Sequence, residues 1–124
     1  MRIASCAVAV LALALLATPA TARERFGSSV TINVHGKDIG VPDYLHGRVR
    51  SPKAACERGR KVRVIRRNEG MTNVYGRALT DRQGRWRFDP QGTVPNGTYR
   101  AVARAERIDA GRCAGARSRS VFVD

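Results

Sequence analysis

The chain has 124 residues, of which 23 are lysine or arginine and 10 are aspartate or glutamate, so its formal net charge is +13. This length fits one small domain with a thin core, and the charge favours anionic partners. One tryptophan, three tyrosines and three phenylalanines are too few to fill a core and also supply exposed rings for stacking on nucleic-acid bases.

The first 22 residues have the pattern of a secretory signal peptide. Arg2 supplies a positive charge, residues 3–16 form a largely apolar run, and residues 20–22 have the small side chains of a cleavage site. We predict cleavage after Ala22, which removes one cation and leaves a net charge of +12 on a secreted or envelope protein. The alternative is an uncleaved anchor, but the run is shorter than the roughly 20 residues that span a bilayer.

Alternation of apolar and polar residues dominates the rest of the chain, as expected of half-buried strands. After a polar leader at 23–29, we predict a single domain over 30–124. Its predicted strands are 30–34, 46–50, 61–67, 73–79, 85–88, 98–107 and 117–123. Glycine- and proline-rich loops separate them, notably at 36–45, 53–59 and 108–115. About seven strands without a long helical pattern indicate an all-β, antiparallel sandwich.

The segment 80–88 combines a turn with the only tryptophan of the chain. Asp81 can accept hydrogen bonds from the backbone two residues on, and Gly84 can adopt the positive φ that a reversal needs. Trp86 and Phe88 then lie two residues apart on one face of a strand. We predict that these four residues form the turn and the centre of the core.

Removal of the signal peptide, which contains Cys6, leaves Cys56 and Cys113 as a pair. In a small exported domain the simplest prediction is one disulfide bond, closing a loop of about 58 residues. The alternative is a metal site that adds His35 and His46. Because no two of the four have the spacing of a common metal motif, we predict neither a metal nor another cofactor.

Four sequence motifs carry a resemblance to a known family. They are Gly-Arg-Val at 47–49, Gly-Arg-Lys-Val-Arg-Val at 59–64, Thr-Asp-Arg-Gln-Gly-Arg-Trp at 80–86 and Pro-Asn-Gly-Thr-Tyr at 95–99. In this order they resemble the carboxypeptidase regulatory-like domains. Within that family, the chain is most similar to small exported bacterial proteins of unknown function. The resemblance implies a transthyretin-like (prealbumin-like) sandwich and an accessory role without catalysis; the strand pattern by itself fits a transthyretin-like or an immunoglobulin-like sandwich.

Enzymes of similar architecture have residues that this chain lacks. Intradiol dioxygenases bind iron through two tyrosines followed by two closely spaced histidines, whereas His35 and His46 both precede Tyr75 and Tyr99 here. Transthyretin-like hydrolases end in Tyr-Arg-Gly-Ser, and this chain does not. No carboxylate pair or nucleophile motif stands out either. We therefore predict that the protein is not an enzyme and has no catalytic residues.

The positive charge is the feature with the clearest functional meaning. Candidates for a basic surface are the outward-facing arginines Arg63, Arg85, Arg87, Arg100 and Arg104. Such a surface would bind an anionic wall polymer, lipid head groups or extracellular nucleic acid without sequence specificity. Arginine outnumbers lysine 20 to 3, however, which a GC-rich genome also produces. Two hypotheses remain open: a structural or interaction module that contacts another exported protein or the envelope, and a polyanion-binding protein.

Overall fold

A computed structural model describes residues 24–36 and 43–124. The predicted signal peptide, its cleavage site and most of the predicted loop at 36–45 lie outside this part of the chain. The described residues are nearly all β, which confirms the predicted fold class of an all-β sandwich with one disulfide.

Twelve short strands follow one another in the described chain, with a single 3-10 helix, Ala54–Cys56, between the fourth and fifth. The strands are β1 (Glu24–Phe26), β2 (Ser29–Val30), β3 (Asn33–His35), β4 (Tyr44–Arg50), β5 (Lys61–Asn68), β6 (Met71–Leu79), β7 (Arg85–Phe88), β8 (Gly97–Ala103), β9 (Glu106–Ile108), β10 (Gly111–Cys113), β11 (Ala116–Arg117) and β12 (Val121–Val123).

Two main sheets form the sandwich. In the first, the order is β11-β8-β5-β6, and β12 also pairs with β8. In the second, β4 pairs with β2, β3 and β7. All of these pairings are antiparallel. A small third sheet of β1, β10 and β9 contains the parallel pair β1–β10.

The core lies between the two main sheets because each buries alternate side chains. The first sheet contributes small and branched residues and one buried tyrosine, Tyr99, and the second contributes larger apolar residues with Trp86 at 3% exposure. The buried members are Val30, Leu45, Val49, Val62, Val64, Trp86, Val94, Tyr99, Ala101, Ala103 and Val123. Phe88 is half-buried against them, so the predicted pair of rings does contribute to the core.

Two of the predicted strands are each divided in two by a hydroxyl side chain, which helps explain why the structure has about twelve strands rather than about seven. Between β2 and β3, the Thr31 hydroxyl accepts a hydrogen bond from the Arg48 backbone N–H at 2.9 Å. Between β11 and β12, the Ser118 hydroxyl likewise accepts from the Ala101 N–H at 2.8 Å. Each hydroxyl takes a position in the ladder that a backbone carbonyl would otherwise occupy.

The predicted polar leader and the predicted loop at 108–115 are not irregular. Residues 24–26 of the leader form β1, and the loop contains β10, so Cys113 lies on a strand that pairs with β1. Both strands have three residues, which is too short for alternation to reveal them. The predicted bond between Cys56 and Cys113 is present, with the Cα atoms 5.5 Å apart, and it joins the 3-10 helix to β10.

Candidate anion-binding face

The outer face of the first sheet is built by simple alternation along its two central strands. On β5, Val62 and Val64 are buried, so Arg63 points away from the core. On β8, Ala101 and Ala103 are buried, and the residues between and beside them point outward. Both central strands therefore present arginine on the same side of the sheet.

Strand pairing brings further cations to this outer face. Arg63 lies between Val102 on β8 and Arg77 on the edge strand β6. Val102 in turn pairs with Arg117 on β11. One row across the sheet therefore holds three arginines, and two of them, Arg63 and Arg77, lie directly opposite one another.

A β-bulge in the edge strand β6 allows this arrangement. The pairing with β5 shifts between Val64 and Ile65, which face Gly76 and Val74 respectively and leave Tyr75 as the extra residue. The Tyr75 ring packs at 5.5 Å from the rings of Phe88 and Tyr99, within the sandwich. The bulge thus adds an aromatic ring to the core while Val74 and Arg77 remain on the outer face.

We call this surface the arginine face and define it by seven basic side chains. They are Lys61, Arg63, Arg67, Arg77, Arg100, Arg104 and Arg117. Two neighbouring grooves of about 510 and 680 Å³ run along it and share Arg63 and Arg104. Of the described residues that line these grooves, Glu106 is the one acid. It lies at the end of the second groove, where it accepts a hydrogen bond from the Lys61 backbone N–H at 3.3 Å.

The arginine face has few acidic neighbours in the described part of the chain: Glu106 lines one groove, and Arg67 lines a surface pocket with Glu69 and Asp124. The ion pairs found there join Arg60 to Glu106, Arg85 to Asp81 and Arg87 to Asp89, and none includes a residue of the face. Arg100 donates a hydrogen bond to the neutral hydroxyl of Ser120 at 3.1 Å. Because Arg63 and Arg77 are directly opposite without an acid between them, their repulsion destabilises the folded chain to a small extent.

The structure separates the five arginines predicted to form a basic surface. Arg63, Arg100 and Arg104 lie on the arginine face. Arg85 and Arg87 lie on β7 in the other sheet, each beside its own aspartate at 3.3 and 2.8 Å. The prediction also left out four members of the face, namely Lys61, Arg67, Arg77 and Arg117. Lys61 and Arg67 lie two and four residues from Arg63, so alternation could have revealed them. The positions of Arg77 and Arg117 on this face depend on the bulge in β6 and on the division of the last predicted strand.

The predicted turn motif has the expected geometry. The Asp81 Oδ1 atom accepts hydrogen bonds from the backbone N–H groups of Gln83 and Arg85, both at 2.9 Å. The bond from Arg85, more than that from Gln83, holds the pKa of Asp81 below its ordinary value. Gly84 has φ +79°, and a Cβ atom there would lie 2.2 Å from the Val49 carbonyl oxygen. The turn is thus a rigid scaffold that positions the strand containing Trp86.

The two histidines come together on the outer face of the second sheet. The His35 and His46 ring centroids are 6.4 Å apart, and Tyr44 lies 4.7 and 5.4 Å from them. Burial, followed by the nearby His35 and Arg87, lowers the pKa of His46. Among the described residues there is no group of three or more His, Cys, Asp or Glu side chains arranged to hold a metal ion.

A buried arginine that sequence reasoning missed lies at one end of the sandwich. The Arg60 side chain is fully buried and donates to the carbonyl oxygens of Cys56, Arg104 and Ala114 at 2.8 to 2.9 Å, and to the Ser28 hydroxyl at 3.0 Å. Burial lowers its pKa, while Glu106 opposes that shift. No sequence pattern distinguishes Arg60 from its exposed neighbours, because its partners are carbonyl groups from distant segments.

Comparison of the chain with protein-family models, with curated proteins and with solved structures gives no match. The resemblance to carboxypeptidase regulatory-like domains therefore stays a prediction. In the described part of the chain, no helix has the length and apolar character needed to cross a membrane.

Proposed function

We propose that this protein is an exported, non-catalytic binding module that attaches to anionic ligands through the arginine face. The observation that carries the proposal is the row containing Arg63 and Arg77, two cations placed directly opposite each other without an acidic partner. An anion bound between the two guanidinium groups attracts both of them and offsets their mutual repulsion. Ligand binding should therefore stabilise the folded sheet.

The other sheet offers an internal comparison. There the exposed arginines of β7 each contact a nearby aspartate, as Arg87 does with Asp89 through two hydrogen bonds of 2.8 and 3.1 Å. Solubility alone is served by arginines of either kind. The third sheet also has a row of opposed arginines, Arg25, Arg112 and Arg107, but it is smaller than the arginine face with its seven basic side chains. The size of the arginine face and its contrast with β7 favour a binding role for that face.

The chemistry of such a site is electrostatic and geometrically tolerant. Arginine presents a planar set of donors that matches phosphate, sulfate and carboxylate groups, often through two parallel hydrogen bonds. Six arginines and Lys61 on one face act together, which gives tight binding to repeated anions at low salt and little preference among sequences of them. The disulfide would keep the sheet intact in the oxidising environment expected for an exported protein.

The direct test is binding of residues 23–124 to inorganic polyphosphate over a series of salt concentrations. We expect the logarithm of the affinity to fall linearly with the logarithm of salt concentration. The triple variant Arg63→Gln, Arg77→Gln, Arg100→Gln should bind at least about tenfold more weakly, with a salt slope smaller by about three.

The matched control is Arg82→Gln, Arg85→Gln, Arg87→Gln, which removes the same charge from exposed positions away from the face. If both triple variants lose affinity equally, the arginine face is not the site. If the unaltered protein fails to bind even at low salt, the proposed function is wrong.

A further inference from the structure

Three of the four large, exposed apolar side chains in the described chain lie beside the cations of the arginine face. Large apolar residues with high exposure in the described chain are Met71 at 78%, Phe122 at 68%, Leu79 at 65% and Val74 at 39%. Three of these belong to the edge strand β6, and Phe122 belongs to β12 on the other side of the same sheet.

Strand register places three of these residues on the arginine face or at its border. Leu79 pairs with Lys61 and Val74 pairs with Ile65, so both lie on the same side of the sheet as Arg63. Phe122 pairs with Thr98, which lines the first groove. Met71 pairs with Asn68, three residues along β6 from Val74, so it lies on the opposite side of the sheet and is not part of this surface. Exposed apolar and basic side chains therefore occupy one continuous surface.

We infer that the arginine face docks on an anionic phospholipid bilayer, with its arginines at the lipid phosphates and its exposed apolar side chains in the interfacial layer. This inference rests on the proposed function and names the source of the anions. A hydrophilic polymer gives the apolar side chains no favourable contact. A lipid surface rewards both features, because interfacial binding combines burial of apolar area with attraction to anionic head groups.

The dimensions of the sheet suit contact along a plane. Phe122 lies at the β12 side and Leu79 at the β6 side, so the outward-facing apolar residues border the face from opposite sides. Four paired strands separate these sides by about 15 Å at the usual spacing between strands. Two such contacts on opposite sides of a basic surface hold it parallel to a membrane, whereas one contact would allow it to tilt.

The expected effects follow from the two kinds of contact. Each arginine near an anionic membrane contributes about a fivefold increase in partitioning. Replacement of Leu79 and Phe122 with serine should lower partitioning to anionic vesicles about tenfold, because these side chains lose apolar area buried in the interface. The same double variant should bind soluble polyphosphate as the unaltered protein does, because it keeps every charge.

The experiment is flotation of residues 23–124 with phosphatidylglycerol–phosphatidylcholine vesicles, with phosphatidylcholine vesicles and soluble polyphosphate as parallel ligands. The variants are Leu79→Ser/Phe122→Ser and Arg63→Gln/Arg77→Gln/Arg100→Gln. Their melting temperatures are measured in parallel, and we expect all of them to fold because the changed residues lie on the outer face. We expect the unaltered protein to bind the anionic vesicles and not the phosphatidylcholine vesicles. Both variants should bind the anionic vesicles more weakly than the unaltered protein does.

A second readout reports the position of the apolar side chains directly. In Leu79→Trp, the new indole should be quenched by brominated phosphatidylglycerol vesicles, whereas Trp86 of the unaltered protein is 3% exposed and should not be. Bound protein without quenching at position 79 would overturn docking through this face.

The remaining outcomes separate the two proposals. Polyphosphate binding without vesicle binding, or vesicle binding that the serine variant retains in full, overturns membrane docking and leaves the anion-binding function in place. If the protein binds neither the anionic vesicles nor polyphosphate, both the anion-binding function and membrane docking are wrong.

Discussion

At the scale of single residues, the glycine of the central turn occupies a position that no other residue type fits without strain. Gly84 combines a φ of +79° with an approach to the Val49 carbonyl that leaves no room for a Cβ atom. Its own carbonyl accepts a hydrogen bond from the Val49 N–H at 2.7 Å, which ties the turn to β4. One residue therefore fixes both the direction of the turn and its distance from the neighbouring strand.

We expect Gly84→Ala to lower the free energy of unfolding by about 3 kcal/mol, because the new methyl group is strained by the backbone and collides with Val49. Urea unfolding measures the change. The matched control is Gly70→Ala: Gly70 has a similar φ of +77°, but its added methyl group would have no neighbour within 4 Å, so only the strain of about 1 kcal/mol remains. Equal losses in the two variants would show that the contact with Val49 has no effect.

At the scale of strands and loops, Arg60 joins three segments at positions where their regular strand pairing is interrupted. Its guanidinium contacts the 3-10 helix at Cys56, the end of β8 at Arg104 and the chain after β10 at Ala114. Carbonyl groups at such junctions must be satisfied by something other than a ladder partner. A single charged side chain meets this need for three segments.

Arg60→Met should therefore lower the free energy of unfolding by about 4 kcal/mol, since it leaves buried carbonyl oxygens without donors. The control is Arg58→Met, two residues away and exposed, for which we expect a change within about 0.5 kcal/mol. Chemical denaturation of both variants provides the comparison. A small loss in Arg60→Met would indicate that water replaces the guanidinium at these carbonyls.

The sequence was informative about these elements wherever a strand was long enough to alternate. The strands at 61–67 and 73–79 were predicted almost to their ends, and the turn before Trp86 was predicted in type and position. The three-residue strands around Cys113 were not, because they are held by pairing across the chain rather than by local preference. Strand pairing also explains why only part of the arginine face was predicted. Its members come together through the bulge in β6 and the register between strands, and alternation within one strand cannot predict either of these.

At the scale of the whole molecule, the disulfide constrains a chain whose core is thin. The bond between Cys56 and Cys113 spans 57 positions of sequence, so it restricts more than half of the described chain in the unfolded state. It also fixes the 3-10 helix against the third sheet, which is otherwise held by strands of three residues.

Cys56→Ala/Cys113→Ala should lower the free energy of unfolding by about 4 kcal/mol on the chain-entropy account. Thermal unfolding with and without reductant measures it: reductant should shift the melting temperature of the unaltered protein towards that of the variant and leave the variant unchanged. Mass spectrometry of the purified protein is the independent check, and two free thiols would contradict the bond.

The bulge in β6 also determines which pairing the sheet can adopt. β6 has nine residues against eight in β5, and an unbulged ladder continued from the hairpin would place Arg77 opposite Val62, inside the core. An unpaired guanidinium there is strongly unfavourable, so this competing register is excluded. Arg77 thus has a second role besides charge: it favours the alignment of the hairpin in which it lies on the arginine face, opposite Arg63.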